Sequence, residues 1–148
     1  MSFLSSLNIS ASGMTAQRLR LDVASENIAN IETTRTASGE PYRRKMVVVE
    51  AKDNSFGTMY RQSLEKFENR GSKGGVRATA VIDDKTELKA VYDPEHPDAD
   101  ENGYVRLPNI DLVKEMTDSM SATRSYEANI TAFNAVKLMA QKALEIGR

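Results

Sequence analysis

The stretch "NIDLVKEMTDSMSATRSYEANITAFNAVKLMAQKALEIGR", residues 109–148, decides how this chain is read. Leu112, Met116, Ser119, Thr123, Tyr126, Ile130, Phe133, Lys137, Ala140 and Leu144 alternate spacings of four and three. That alternation predicts an a/d seam on one long helix, starting after Pro108 with Asn109 as N-cap. At 1.5 Å per residue, Ile110 to Ile146 would extend ~55 Å. Such a rod outruns any core this chain can build, and its apolar pattern continues almost to the last residue. Val113, Met120, Val136, Met139 and Ala143 lie off the seam and call for partners of their own.

The other end of the chain carries a second helical pattern. Leu7, Met14, Leu21 and Ile28 recur at intervals of seven, flanked by Ala11, Ala24 and Ile31. One apolar stripe between polar sides predicts an amphipathic helix over residues 4–31. Gly13 weakens it locally. "TTRTASGEP" ends it, because Gly39 and Pro41 do not continue a helix.

Between the helices the period changes. "YRRKMVVVEA" is a β-branched run, and "GVRATAVID" places Val76, Ala78, Ala80 and Ile82 on one face. "ELKAVYD" and "GYVRL" are two shorter strand candidates. "KDNSFG", "NRGSKGG" and "DPEHPDADENG" are turn-rich connections, and "MYRQSLEKFENR" allows a short helix through Leu64 and Phe67. The organisation expected is α+β: a helix over 1–34, a small β-rich middle region over 35–108 and a C-terminal helix over 109–148. The two terminal helices would pack together as a coiled-coil layer.

Bulk properties exclude several classes. The formal net charge of the 148 residues is −1, which gives no electrostatic case for nucleic acid or an anionic membrane. The one basic cluster, Arg35, Arg43, Arg44, Lys45 and Lys52, reads as the polar face of a strand. The absence of cysteine removes disulfides and thiolate chemistry. No run approaches the ~20 apolar residues of a membrane span. "MSFLSSLNISASGMTAQ" has neither the basic start nor the unbroken apolar core of a cleavable signal, so export would take another route.

Chemistry-bearing constellations are sparse. His96 is the lone histidine, and no nucleophile is framed by an elbow or oxyanion turn. "RGSKGGVR" lacks the spacing of a phosphate loop and reads as a hairpin turn. In "DADENG", Asp98, Asp100, Asn102 and Gly103 match positions 1, 3, 5 and 6 of a calcium loop. Position 12 is Asn109 instead of a bidentate Glu, and Pro97 precedes the loop where a helix should enter. A solvated acidic turn is the preferred reading. No cofactor, metal site or enzymatic activity is expected.

Two short motifs resemble a known family. "ANIETT" is similar to the Ala-Asn-x-x-Thr motif of bacterial flagellar rod and hook proteins, on Ala29, Asn30 and Thr33. "RSYEAN" resembles that family's C-terminal signature on Arg124, Tyr126, Ala128 and Asn129. "GEPYRRKMVVVEA" and "VYDPEHPDADENGYVRLPNIDLVKEM" resemble stretches of a proximal rod member, so the likeness spans the whole chain. Glu32 departs from the small polar residue many relatives carry.

The resemblance implies a structural subunit of the basal-body rod, exported through the flagellar type III apparatus. It would assemble helically with copies of itself and other rod subunits, cross the periplasm, line the export channel and pass torque from rotor to hook. The rotor ring and export-gate adaptor at the rod base are further expected partners. The expected contact residues are Leu7, Met14, Leu21, Ile28, Leu112, Met116, Tyr126, Ile130, Phe133 and Leu144. Asn30 and Thr33 have a plainer reading, since both side chains bond local backbone and end a helix. The competing class is a free-standing helical binding module such as an export adaptor, in which the seams satisfy themselves.

Overall fold

The computed structural model describes residues 3–52, 60 and 74–146. The chain runs α1 (Phe3–Ala29), β1 (Lys45–Ala51), β2 (Val76–Asp83), β3 (Lys89–Tyr92), β4 (Tyr104–Leu107) and α2 (Leu112–Ile146). This is the expected α+β arrangement of two long terminal helices and a small middle of paired strands. β1 pairs with β2 and β3 with β4, in two separate two-stranded sheets. The short helix allowed by "MYRQSLEKFENR" lies, apart from Tyr60, outside the described residues, as do "KDNSFG" from Asp53 onward and most of "NRGSKGG".

The chain forms two compact units, residues 1–18, 49–79 and 123–148 in one and 19–48 and 80–122 in the other. Each takes residues from all three sequence regions.

In the first unit, Gly13 explains itself. A Cβ there would stand 2.9 Å from Asn129 Oδ1, so glycine is the residue that lets α1 come this close to α2. Its helix-propensity cost of about 1 kcal/mol is offset by that approach. Asn129 is held for the contact by donating from Nδ2 to the Ser125 carbonyl at 2.8 Å. Ser12 ties α1 to the strands: its Oγ accepts from the Val76 amide at 3.1 Å and donates to the Ile9 carbonyl at 2.7 Å. Gly75 has φ +100°, and a Cβ there would collide with Ser12 Oγ.

In the second unit, β3 and β4 are antiparallel with Lys89 opposite Leu107 and Tyr92 opposite Tyr104. The two tyrosines stack edge to face at 5.3 Å. The acidic turn before β4 closes on Gly103, whose φ of +76° and whose near contact with Tyr92 Cε2, 2.9 Å from a built Cβ, both require glycine. Val105, Pro108 and Ile110 are buried behind the hairpin.

Both helix ends near the middle region are capped. The N-cap of α2 is Asp111, whose Oδ1 accepts the Val113 amide at 3.0 Å, and not the expected Asn109. Asn109 is drawn away because its side chain ties the residue before β1 to the β2–β3 connection: Oδ1 accepts the Arg44 amide at 2.9 Å and Nδ2 donates to Thr86 Oγ1 at 2.6 Å. α1 ends on the Ala-Asn-x-x-Thr motif. Asn30 Nδ2 donates to the Glu26 carbonyl at 2.9 Å, and Thr33 Oγ1 donates to Asn30 Oδ1 at 3.1 Å. Asn30→Ala removes both bonds and is expected to cost about 1 kcal/mol, read from urea unfolding.

Candidate assembly interface

A helix of 35 residues buries little of itself here. On α2, Glu115 and Ala122 are buried, and Asp118, Ser119, Ser125, Tyr126, Asn129, Phe133, Val136 and Ala140 are half-buried. This inner line steps through 115, 119, 122, 126, 129, 133, 136 and 140. It keeps the expected alternation of four and three and shares Ser119, Tyr126, Phe133 and Ala140 with the seam read from the sequence. At its other four steps it sits one residue earlier. Glu115, Ala122, Asn129 and Val136 turn inward, while Met116, Thr123, Ile130 and Lys137 are exposed.

The reason is steric and polar. Where Gly13 lets the helices approach, the facing residue must be small or bonded, and Asn129 fits where Ile130 would not. At the other end the inward residue meets an amide and a guanidinium, which Glu115 satisfies and Met116 does not.

That end is a buried polar junction, which no hydrophobic pattern announces. Asn27, on α1, is 1% exposed and Glu115 is 2% exposed. Asn27 uses its full bonding capacity. Nδ2 donates to the Lys45 carbonyl at 2.9 Å and to Glu115 Oε2 at 3.1 Å. Oδ1 accepts the Lys45 amide at 2.9 Å and the Tyr42 hydroxyl at 3.1 Å. Glu115 Oε1 accepts Arg44 Nε at 2.6 Å, and the same guanidinium lies 3.4 Å from Asp118 and 3.7 Å from Asp84. One side chain from α1, one from the residue before β1 and one from α2 are thereby locked together.

Burial, with the carboxylates of Glu26 and Asp83 nearby, pushes the Tyr42 phenol up to about 12. The folded chain thus holds a proton that the unfolded chain loses from pH 10 upward. Stability is fully present below pH 10 and falls as pH rises toward 12, by up to about 2 kcal/mol. Tyr42→Phe should flatten that fall, measured by urea midpoints at pH 9, 10.5 and 11.5.

Apart from Tyr126, Phe133 and Val136, the large apolar residues of α2 lie elsewhere. In the second unit Leu112, Val113, Met116 and Met120 are exposed, Val113 by 72%. Their positions at i, i+1, i+4 and i+8 make one stripe beside the inner line. In the first unit Phe3, Leu4, Ile9, Ile130, Leu138, Met139, Leu144 and Ile146 are exposed. Leu7, Met14, Leu21 and Ile28 on α1 are half-buried. Of the motif residues, Ala29, Arg124 and Ala128 are exposed, while Asn30, Thr33, Tyr126 and Asn129 are half-buried. Exposed apolar stripes of this extent are uncommon on chains that stand alone.

The acidic turn is tied into the second unit. Asp98 Oδ2 accepts Thr34 Oγ1 at 2.8 Å and Oδ1 lies 3.9 Å from Arg35, while Asp100 lies 3.7 Å from Arg106. Asn102 is exposed. His96 is half-buried, its Nδ1 accepting the Asp98 amide at 3.1 Å. No group of three potential metal ligands stands together among the described residues. A shallow groove lined by Leu19, Val23 and Val81 also carries Asp22, Glu26 and Asp83, a gathering of carboxylates the linear sequence conceals, and Lys45 pairs with Glu26 at its edge.

Two family models match this chain. Residues 7–35 match "Flagella basal body rod protein", and residues 101–146 match "Flagellar basal body rod FlgEFG protein C-terminal". The chain is 50% identical over 147 residues to the flagellar basal-body rod protein FlgC of Bacillus subtilis, covering 97% of each chain. It belongs to the FlgC family of flagellar basal-body rod proteins. The FlgC of Borreliella burgdorferi is 45% identical over 152 residues, covering 99% of this chain and 98% of its own. That of Salmonella typhimurium is 40% identical over 148 residues and covers all of both. The two matched segments coincide with α1 and its cap and with β4 through α2. They carry the inner line, Asn27 and Glu115 of the polar junction, and most of the exposed stripes, while Tyr42, Arg44 and Lys45 lie outside both.

Proposed function

We propose that this chain, a structural subunit of the flagellar basal-body rod, acts in the proximal rod by packing its exposed helix faces against copies of itself and other rod subunits. The observation that carries the reading is the division of labour on α2. Glu115, Ser119, Ala122, Asn129 and Ala140 face inward beside Tyr126, Phe133 and Val136, and Leu112, Val113, Met116, Met120, Leu138, Met139 and Leu144 are left outward. A self-sufficient binding module would bury its largest apolar residues first. Contacts that repeat along a screw axis between unlike faces of one subunit give an open filament. Parallel helices loaded along many such contacts are stiff, which suits torque transmission and requires no catalysis. The helices of residues 1–34 and 109–148 would form the layer around the export channel, with 35–108 facing outward. The rotor ring, the export-gate adaptor and the type III export machinery are the partners this placement implies at the rod base.

Isolated basal bodies test the reading. A strain lacking this chain should build no rod beyond the membrane ring and should not swim, and the chain should be recovered in rods when restored. Normal rods without it would sink the proposal. On the purified full chain, far-UV circular dichroism with sedimentation velocity should show a monomer in which the second unit is folded and only the helix turns of the first unit, residues 3–18 and 123–146, fall short of full helicity. A fully helical closed dimer would favour the adaptor reading.

A further inference from the structure

We propose that the Asn27–Glu115–Arg44 junction is a register lock, a buried polar device that admits one alignment of α2 on α1 and rejects alignments displaced by a heptad. The inner line of α2 repeats with the same seven-residue step along its length, as Ser119, Tyr126, Phe133 and Ala140 on one track and Glu115, Ala122, Asn129 and Val136 on the other. A repeat of this kind allows slippage, because each slipped state presents a similar face. The junction breaks the degeneracy. Sliding α2 by seven residues brings Ala122 opposite Asn27. One Nδ2 hydrogen then has no acceptor, and Arg44 Nε loses its carboxylate. Slipping the other way runs off the start of the helix, where Pro108 lies.

Three features favour a lock over a device for stability. The Glu115–Arg44 pair is nearly fully buried, so apolar substitutes of similar size for both partners together would be at least as stable. Asn27 is saturated by four partners, and that saturation is available in only one alignment. The amide and carbonyl of Lys45 are two of those partners, so the alignment is referred to the start of β1 as well as to the facing helix. For a subunit whose helices must also meet similar helices from other chains, an internal alignment fixed by polar bonds keeps the outward stripes in constant positions.

The chain has no cysteine, so spin labels report the alignment directly. Ser25→Cys and Thr117→Cys are exposed positions on α1 and α2 within the second unit. In the full-length chain, pulsed dipolar spectroscopy should give one narrow distance. With Asn27→Leu and Glu115→Leu added, the lock predicts a second, longer distance from an axial slip of about 10 Å, one heptad of helix, with a lowered Tm because Arg44 and the Lys45 backbone lose partners. If that variant loses its helices, Arg44→Met with Glu115→Leu is read in the same way, since it leaves Asn27 three of its four bonds. A single unshifted distance in a folded variant overturns the proposal. So does a broad distance in the parent chain, and so does unfolding of both variants, which would make the junction a stabilising element only.

Discussion

Glu115→Ala is expected to lower the unfolding free energy by about 3 kcal/mol, far more than any exposed charge on the same helix. The substitution removes the carboxylate from a place that is 2% exposed and leaves the other partners where they are. Arg44 Nε, bonded at 2.6 Å in the parent, faces an empty space, although Asp118 and Asp84 keep part of its charge compensated. Those neighbours place the cost at the lower end of the range for a broken buried pair. One Nδ2 hydrogen of Asn27 is also orphaned, with a penalty of about 1–3 kcal/mol. Glu115→Gln separates the two contributions. Its amide keeps an oxygen for Arg44 but turns a donor toward Asn27, so an intermediate loss is expected. Glu127→Ala, exposed on the same helix, should change stability by no more than about 0.5 kcal/mol. Urea unfolding followed by circular dichroism at 222 nm measures all three. A loss for Glu115→Ala no larger than that for Glu127→Ala would mean the junction is wet and loosely held.

The contrast between Glu115 and Met116 also explains what was legible before the structure. Element type was readable, because the periods of 3.5 and 2 change where Gly39, Pro41 and Pro108 interrupt the chain. The alternation on α2 was readable too, but the side it faces was not. Reading large apolar residues as the inner seam assumes that burial within the chain comes first. In a subunit built to be covered by others, the intramolecular face takes what permits close approach, namely Gly13 against Asn129 and Asn27 against Glu115. Neither pair carries a hydrophobic signal, and a buried carboxylate is legible only through a partner distant in sequence. Asn109 misled for the same reason. Its capping chemistry was read locally, whereas its side chain is spent on Arg44 and Thr86, 65 and 23 residues away. Local readings succeeded where the bonds are local, as with Asn30 and Thr33 at the end of α1.

Val113→Asp combined with Met120→Asp should abolish swimming while leaving the isolated chain as stable as the parent. Val113 is 72% exposed and Met120 is 57% exposed, one heptad apart on the same stripe of α2. Placing carboxylates at such positions changes the monomer by no more than about 0.5 kcal/mol. In a rod the same positions would be covered. Each apolar side chain then contributes about 1.5–3 kcal/mol per contact, and that gain is replaced by the larger cost of enclosing a charge without a partner. The loss recurs at every copy, so even a modest weakening per contact prevents a filament from holding together. Val113→Ile with Met120→Leu preserves volume and apolarity, and swimming in soft agar should persist. Immunoblots of culture supernatant and of purified basal bodies distinguish failed assembly from failed export. The aspartate variant should be absent from basal bodies and still reach the outside of the cell. Incorporation at the parent level would show that this stripe faces solvent in the rod, and the contacts would then have to come from Ile130, Leu138 and Leu144 instead.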